Sequence, residues 1–226
     1  MRIGIIVASE SERKPFIEVF GEPSAERLEA NGTKVLIWNL QPNREVYLLH
    51  SGVGEIAAAI GTQYLIDKFG VDRIINYGMA GGLSEEHLSK KIGVVDKVIH
   101  YDFDLSSIDG YVVGRYPGEK SRYLVPSQDA IPASLTSGLL KFTCASADKF
   151  VPAGESKRRL RKEFDADICE MEAAGVIIAC NKNNIPCTFI KAISDGVDED
   201  SEAYENNVHS TSRDCIALIK KYINQI

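Results

Sequence analysis

The chain of 226 residues carries 26 basic and 32 acidic side chains, a formal net charge of −6 at pH 7. Because nucleic acids and anionic membranes attract basic surfaces, this balance argues against both as partners, and no apolar run approaches the ~18 residues of a membrane-spanning helix. Hydrophobic residues at 44% and charged residues at 26% are typical of a globular chain, and without a signal peptide we expect it to be cytoplasmic.

The first third of the chain alternates between strand-like and helix-like segments. Residues 3–8 form a short apolar run, and residues 34–40 and 45–50 predict a strand pair around a turn that contains proline and asparagine. Residues 53–69 carry apolar side chains at helical spacing, and Gly70 ends this predicted helix.

The same alternation continues to the end of the chain. Strands are predicted at residues 73–77, 94–100, 141–145 and 187–193, and helices at 155–164, 171–181 and most of 201–223. Residues 102–128 are rich in Gly, Ser, Pro and Tyr, which predicts a long loop of the same domain rather than a linker between domains. The pattern predicts a single α/β domain over residues 1–226, with a twisted mixed and largely parallel sheet flanked by helices.

Three acidic residues fall at or beside the ends of predicted strands, where open α/β sheets bind their ligands. Glu12 follows the first strand, Asp195 follows the last core strand, and Glu172 opens a very apolar run. Each has an ordinary structural explanation: Glu12 as a solvated helix start, Asp195 as a helix cap or turn, and Glu172 as a first-turn acid. Their shared placement favours a catalytic site.

Two glycine-rich segments accompany these acids. Residues 51–57 fit the G-x-G-x-x-A pattern of dinucleotide-binding folds, and residues 78–82 form a second predicted glycine loop. A dinucleotide site also requires an acid at the tip of the next strand, where this chain has Asn76 and Tyr77. A dinucleotide enzyme and plain tight turns both remain alternatives at this point.

Cysteine and histidine placement offers no metal or redox motif. The five cysteines are widely spaced without a Cys-x-x-Cys pair, and four of them sit in apolar or mixed segments, where we expect free thiols that pack in the core. The four histidines lack metal-ligand spacing. We therefore expect neither a metal nor a cofactor.

Several segments together point to a family. They comprise Gly4-Ile5-Ile6 followed by Glu12, and residues 51–54, 76–82, 146–150, 170–174 and 192–195. In this order and spacing they resemble the 5′-methylthioadenosine/S-adenosylhomocysteine nucleosidases of the purine nucleoside phosphorylase superfamily, across essentially the whole chain. The resemblance implies a homodimer that acts on a small purine nucleoside, hydrolyses its N-glycosidic bond and supports methionine salvage.

The resemblance also implies a role for each acid. Asp195 would protonate the purine at N7, oriented by Ser194 in a mostly apolar pocket, since adenine leaves poorly as an anion. Glu172 would bind the ribose hydroxyls and stabilise the oxocarbenium-like sugar, and Glu12 would activate water.

Further positions match the binding residues of this family. Phe150 would stack on the purine, the backbone of Val151 would bind the adenine edge, and Met171 would pack against the sugar. The 5′-thio tail would meet Val53, Leu105, Ile108 and Tyr111, with Pro117 donated across the dimer interface and Tyr204 near a lid position but off register by one residue.

Two positions depart from the family pattern. Met79 replaces a serine near the ribose, and Lys191 replaces an arginine, which keeps the charge but loses the planar fork. The alternatives are a phosphorylase, which the absence of a phosphate-binding arginine disfavours; a futalosine hydrolase-like nucleosidase; and a non-catalytic nucleoside-binding protein.

Overall fold

The computed structural model describes residues 1–29, 32–41, 43–85, 91–199 and 201–226, without the side chains of 41 and 201–208. The strands are β1 (Arg2–Val7), β2 (Ala25–Leu28), β3 (Lys34–Gln41), β4 (Arg44–His50), β5 (Arg73–Gly82), β6 (Ile92–His100), β7 (Tyr123–Leu124), β8 (Leu140–Ser146), β9 (Ile168–Glu170) and β10 (Cys187–Asp195). The helices are α1 (Glu10–Phe20), α2 (Glu55–Phe69), α3 (Ala133–Thr136), α4 (Glu155–Phe164), α5 (Ala173–Asn183) and α6 (Ser201–Ile223). None of these helices has the length and apolarity that a membrane crossing requires.

All of the strands join one sheet, in the order β10-β6-β8-β9-β5-β1-β4-β3-β2, with β7 on β6. A second pairing between β10 and β5 closes β5, β9, β8, β6 and β10 into a ring. The described pairings include both parallel and antiparallel ones, and the parallel ones join more residue pairs, so the prediction of a mixed, largely parallel sheet is confirmed.

Helices cover both faces of the sheet. On one face α1 packs against α6 over a core that includes Phe16 and Ile216, and on the other α2 packs against α5 over a core that includes Leu65 and Ile177. Because β1, β5 and β10 run parallel, their carboxyl ends meet at one edge. The predicted functional residues that follow these strands therefore converge there.

Near the site, the structure adds one helix to the predicted elements and corrects two boundaries. Helix α1 is an additional element, because its polar sequence hides an apolar stripe in which Phe16 and Phe20 stack with ring centroids 4.2 Å apart. Strand β5 continues through the predicted glycine loop to Gly82, since β10 and β9 both pair with it there. Helix α5 begins at Ala173 rather than at residue 171.

Candidate active site

A cavity of about 300 Å³ opens at the edge where these strands end. Its volume lies at the lower end of the range for small-molecule sites, about 300–1,000 Å³. Predicted site residues that line it are Glu12, Val53, Met79, Phe150, Val151, Met171, Glu172, Ser194 and Asp195, together with Ala8, Ser9, Ala80, Gly81, Lys149, Cys169 and Glu170.

Other predicted site residues do not line this cavity. Leu105, Ile108, Tyr111 and Pro117 lie between β6 and β7, where Phe103 stacks on Tyr116 with ring centroids 4.0 Å apart. Tyr204 belongs to α6, but its side chain lies outside the described part of the structure. A single chain thus does not bring the predicted tail-binding residues to the cavity, except for Val53.

Glu12 is held at the cavity wall by three backbone donors. Its Oε2 accepts hydrogen bonds from Ala8 N at 2.9 Å and Ser9 N at 3.0 Å, and its Oε1 accepts one from Met79 N at 3.0 Å. With Ser9 it forms the capping box of α1, but it is buried rather than solvated. A side-chain carbon on Gly78 would lie 2.8 Å from Oε1, so glycine there makes room for the carboxylate.

Glu170, which the sequence analysis did not single out, caps α5. Its carboxylate accepts hydrogen bonds from Glu172 N at 3.0 Å and Ala173 N at 3.0 and 3.1 Å. Lys191 Nζ donates to it at 2.8 Å, and both side chains are buried. Glu170 therefore satisfies the helix start, which leaves the Glu172 side chain free for another role.

Glu172 turns toward the glycine loop that precedes α2. Its Oε1 accepts a hydrogen bond from Gly54 N at 3.1 Å, and its Oε2 accepts one from Met171 N at 3.3 Å. Burial, and after it the Glu170 carboxylate, raises the pKa of Glu172 to about 8. The site thus favours the neutral form of Glu172 more than water does, where the sequence analysis expected a carboxylate.

The positive charge of Lys191 stabilises the buried carboxylate of Glu170. Burial alone would lower the pKa of its ammonium group, but Glu170 and Glu172 outweigh burial and raise it. Removal of Glu170 would leave Lys191 as an unpaired buried charge, which is far more costly than the pair.

Asp195 does not lie in the mostly apolar surroundings that we expected. Its Oδ1 is in hydrogen-bond contact with Ser194 Oγ, and its Oδ2 is in contact with Lys157 Nζ from α4. The Lys157 side chain is buried, and it also donates to Gly196 O at 2.6 Å. Sequence reasoning missed this cation because α4 is a strongly basic helix in which one buried lysine resembles its exposed neighbours.

The glycine loop at residues 51–54 is positioned by the segment that precedes the predicted stacking residue. Gly52 and Gly54 have positive φ of 89° and 105°. Asp148 Oδ1 accepts a hydrogen bond from Glu55 N at 2.6 Å, at the start of α2. The loop thus presents its backbone to Glu172, and no bound pyrophosphate is needed to explain the glycines.

A separate cluster lies behind this loop. His100 Nε2 is 2.7 Å from Glu55 Oε2 and 2.8 Å from Asp102 Oδ1, and its Nδ1 is 2.5 Å from Tyr116 Oη. Burial acts to lower the pKa of His100, but the two carboxylates outweigh it and raise the pKa. The three ligand-type groups lie close enough to surround a cation, yet the distances are those of hydrogen bonds to a protonated imidazole.

The described part of the cavity combines several chemical functions. Asp195 can pass a proton to a base, and Glu12 can accept one from water. Glu172 offers a third carboxyl group, which can form hydrogen bonds. Met171 and Phe150 add apolar and aromatic surface, and Phe150 is 67% exposed and available to stack. This combination suits acid–base cleavage of a bond to a nitrogen heterocycle.

Comparisons with known proteins agree with this chemistry. The model of the phosphorylase superfamily matches residues 2–224. A 5'-methylthioadenosine/S-adenosylhomocysteine nucleosidase of Buchnera aphidicola is 32% identical, over 97% of this chain and 96% of its own. An aminodeoxyfutalosine nucleosidase of Helicobacter pylori is 30% identical, over 94% of this chain and 95% of its own. A mutant Helicobacter pylori nucleosidase with 5'-methylthioadenosine in its active site superposes with a TM-score of 0.88 at 26% identity, covering 100% of this chain and 99% of that one.

Proposed function

We propose that this chain, which belongs to the phosphorylase superfamily, hydrolyses the N-glycosidic bond of 5′-methylthioadenosine and S-adenosylhomocysteine. The products are adenine and a 5-thio-substituted ribose. The observation that carries the proposal is that Asp195, Glu12 and Glu172 line one cavity of suitable size. The nucleosidase relative that spans nearly the whole chain supports the choice of substrate.

In the proposed mechanism the bond between C1′ and N9 breaks and its electron pair goes to the purine. Asp195 delivers a proton to N7, so the base leaves as neutral adenine. Water attacks C1′ and gives its proton to Glu12, which lines the cavity and is held there by three backbone hydrogen bonds. Glu172 binds the ribose hydroxyls, and its ionised form stabilises the positive charge that develops on the sugar.

The base and sugar would be held by the apolar side of the cavity. Phe150 stacks on the purine, the backbone of Val151 contacts the adenine edge, and Met171 packs against the sugar. Their place in the cavity lining supports these roles. Ser194, through its contact with Asp195, fixes the orientation of the acid.

A phosphorylase is less well supported by the described cavity. Its described lining residues include no arginine and a single lysine, the exposed Lys149, and the nearby buried cations Lys157 and Lys191 already pair with Asp195 and Glu170. A phosphate dianion would therefore meet few free positive groups in a desolvated site. Because one relative is an aminodeoxyfutalosine nucleosidase, aminodeoxyfutalosine is a second candidate substrate, and the same type of bond would be cleaved.

We further propose that the protein is a cytoplasmic homodimer. Val53, Ile56 and Ile60 are 60%, 71% and 66% exposed and form an apolar patch at the start of α2, beside the cavity. A partner on this patch would carry its segment of Leu105, Ile108, Tyr111 and Pro117 toward the tail of the substrate. The described cysteines are all free and buried, as expected of a reducing compartment, and the products would enter methionine salvage.

Adenine release from 5′-methylthioadenosine tests the proposed function. It is followed by chromatography in phosphate-free buffer and again with phosphate added. Adenine with free methylthioribose in both buffers is the expected result. Release only with phosphate, as a sugar 1-phosphate, would identify a phosphorylase, and release from aminodeoxyfutalosine alone would identify the second nucleosidase.

The dimer has its own test. Light scattering of the purified chain should give twice the chain mass of 24.9 kDa. Ile56→Glu together with Ile60→Glu should give the single mass, because two carboxylates would be buried in the interface. An unchanged mass in that variant would place the interface elsewhere.

A further inference from the structure

Lys157 is a buried cation for which the proposed mechanism has so far no role. Its side chain is 1% exposed, and its ammonium group contacts Asp195 Oδ2 and Gly196 O. An ammonium group is rarely buried without strong compensation. Because the partner of this buried lysine is the proposed acid, we expect the lysine to act in the proton transfer by that acid.

The surrounding strands are built to accommodate this contact. Gly81 lies between Cys169 on β9 and Asp195 on β10, and a side-chain carbon there would lie 3.2 Å from both Cε and Nζ of Lys157. The glycine, which is part of the conspicuous 78–82 segment of the sequence, thus leaves the space that the lysine fills.

Asp195 is the carboxyl partner of Lys157, through its Oδ2 atom. The thiol of Cys169 also interacts with Lys157, and burial raises the pKa of that thiol to about 12. It is therefore neutral, and β5 contributes Gly81, which has no side chain to titrate. The neighbouring Arg158 on α4 points to solvent and pairs with the exposed Asp198.

Two such groups in contact share protons as one unit. The pair of Lys157 and Asp195 with one shared proton is a single protonation state, whether the proton lies on nitrogen or on oxygen.

We infer that Lys157 is a positioning residue that supplies, through Asp195, the proton that the purine receives. This inference rests on the proposed function. As the C1′–N9 bond breaks and its electrons move into the base, N7 becomes strongly basic. Lys157 gives a proton to Oδ2 of Asp195, the carboxyl group gives one to N7, and Lys157 becomes a neutral amine. Water supplies the hydroxyl group at C1′ and its proton goes to Glu12, and solvent then exchanges protons with both groups.

Substitutions separate this role from simple charge pairing. Lys157→Met removes both the charge and the proton. Lys157→Arg keeps the charge, but a guanidinium group does not release its proton in proteins. Under the inference both variants lose kcat, by about 10²-fold, a typical share of general acid catalysis. Arg158→Met, one residue along the same helix, is the control and keeps its activity.

Proton uptake on adenine binding gives a readout that does not depend on turnover. Calorimetric titration of adenine at pH 7, in two buffers of different ionisation enthalpy, measures it directly. The wild type should take up close to no proton, because the pair already holds one. Both Lys157 variants should take up about one proton from the buffer. Thermal melts test whether each variant is folded. If Lys157→Met does not fold, Lys157→Arg still tests the inference.

The outcomes are distinct from those of the proposed function. Equal proton uptake in the wild type and in Lys157→Arg, or an unchanged kcat in that variant, would overturn the role of Lys157 while adenine release stands. If the wild type neither binds adenine nor releases it, the proposed function fails and the inference fails with it.

Discussion

The backbone N–H of Met79 donates a hydrogen bond of 3.0 Å to Oε1 of Glu12 and joins strand β5 to the first turn of α1. The position thus serves the proposed base through its main chain, which any residue provides. Its side chain is 6% exposed and belongs to the core on the face that α1 and α6 cover. The thioether that departs from the family pattern therefore acts mainly as packing.

This relationship predicts the outcome of Met79→Ser. We expect kcat within a few-fold of the wild type, because the hydrogen bond to Glu12 is retained. The free energy of unfolding should fall by about 2–4 kcal/mol, because a large buried side chain is truncated. Urea unfolding and adenine release measure the two effects, and a gain of phosphate-dependent release would contradict this account of the position.

Asp195→Asn should abolish acid catalysis while the cavity still binds adenine. An amide has no acidic proton to transfer to N7, so kcat should fall by about 10²- to 10⁴-fold. Asp198→Asn is the matched control, since Asp198 is exposed and pairs with Arg158. Wild-type kcat in Asp195→Asn would show that another group protonates the purine.

Glu12→Gln should lose both turnover and stability. The amide cannot accept a proton from water, and its NH₂ group must face a backbone N–H where Glu12 accepts three. We expect kcat to fall by about 10²-fold or more, with a lower melting temperature. Glu10→Gln, on the same turn but half-exposed, is the control. An unaffected rate in Glu12→Gln would mean that another group activates the water.

Glu172 should set a limb of the pH profile of kcat/KM. Its raised pKa of about 8 means that the ionised form appears as pH rises through that value. Because we assign stabilisation of the sugar cation to the ionised form, kcat/KM should rise with pH and level off above about 8. Glu172→Gln should remove this limb and lower kcat/KM by about 10²-fold. A limb that persists in the variant would belong to a different group.

His100→Gln should show a pH-dependent loss of stability. The pKa of His100 is raised in the fold, so its contribution is complete below the unfolded pKa of about 6.5 and is lost as pH rises through the folded pKa. We expect a loss of about 2 kcal/mol at pH 5.5 that shrinks by pH 9, measured by urea unfolding. His209→Gln, at an exposed pair with Glu18, should change little. A difference that grows with pH would contradict the assignment.

The sequence by itself determined which residue types stand at the strand ends. The alternation of apolar runs predicted the α/β class, and the position of Glu12, Glu172 and Asp195 after strands or at a helix start placed them at one edge. These are local properties, because the residues that follow a strand in the chain lie at its carboxyl end. The resemblance added roles that the residues alone left open, and the tail-binding residues and the lid residue remain predictions.

Only the tertiary structure decided how each acid is held. Glu170 takes over the cap of α5 and frees Glu172, and Lys157 reaches Asp195 from a helix nearly forty residues earlier. The ring formed by β5, β9, β8, β6 and β10 brings these groups together. Such contacts join segments that are distant in the chain, and burial then shifts their protonation. Neither spacing nor composition encodes that burial, so the electrostatics of the site follow from the packed fold.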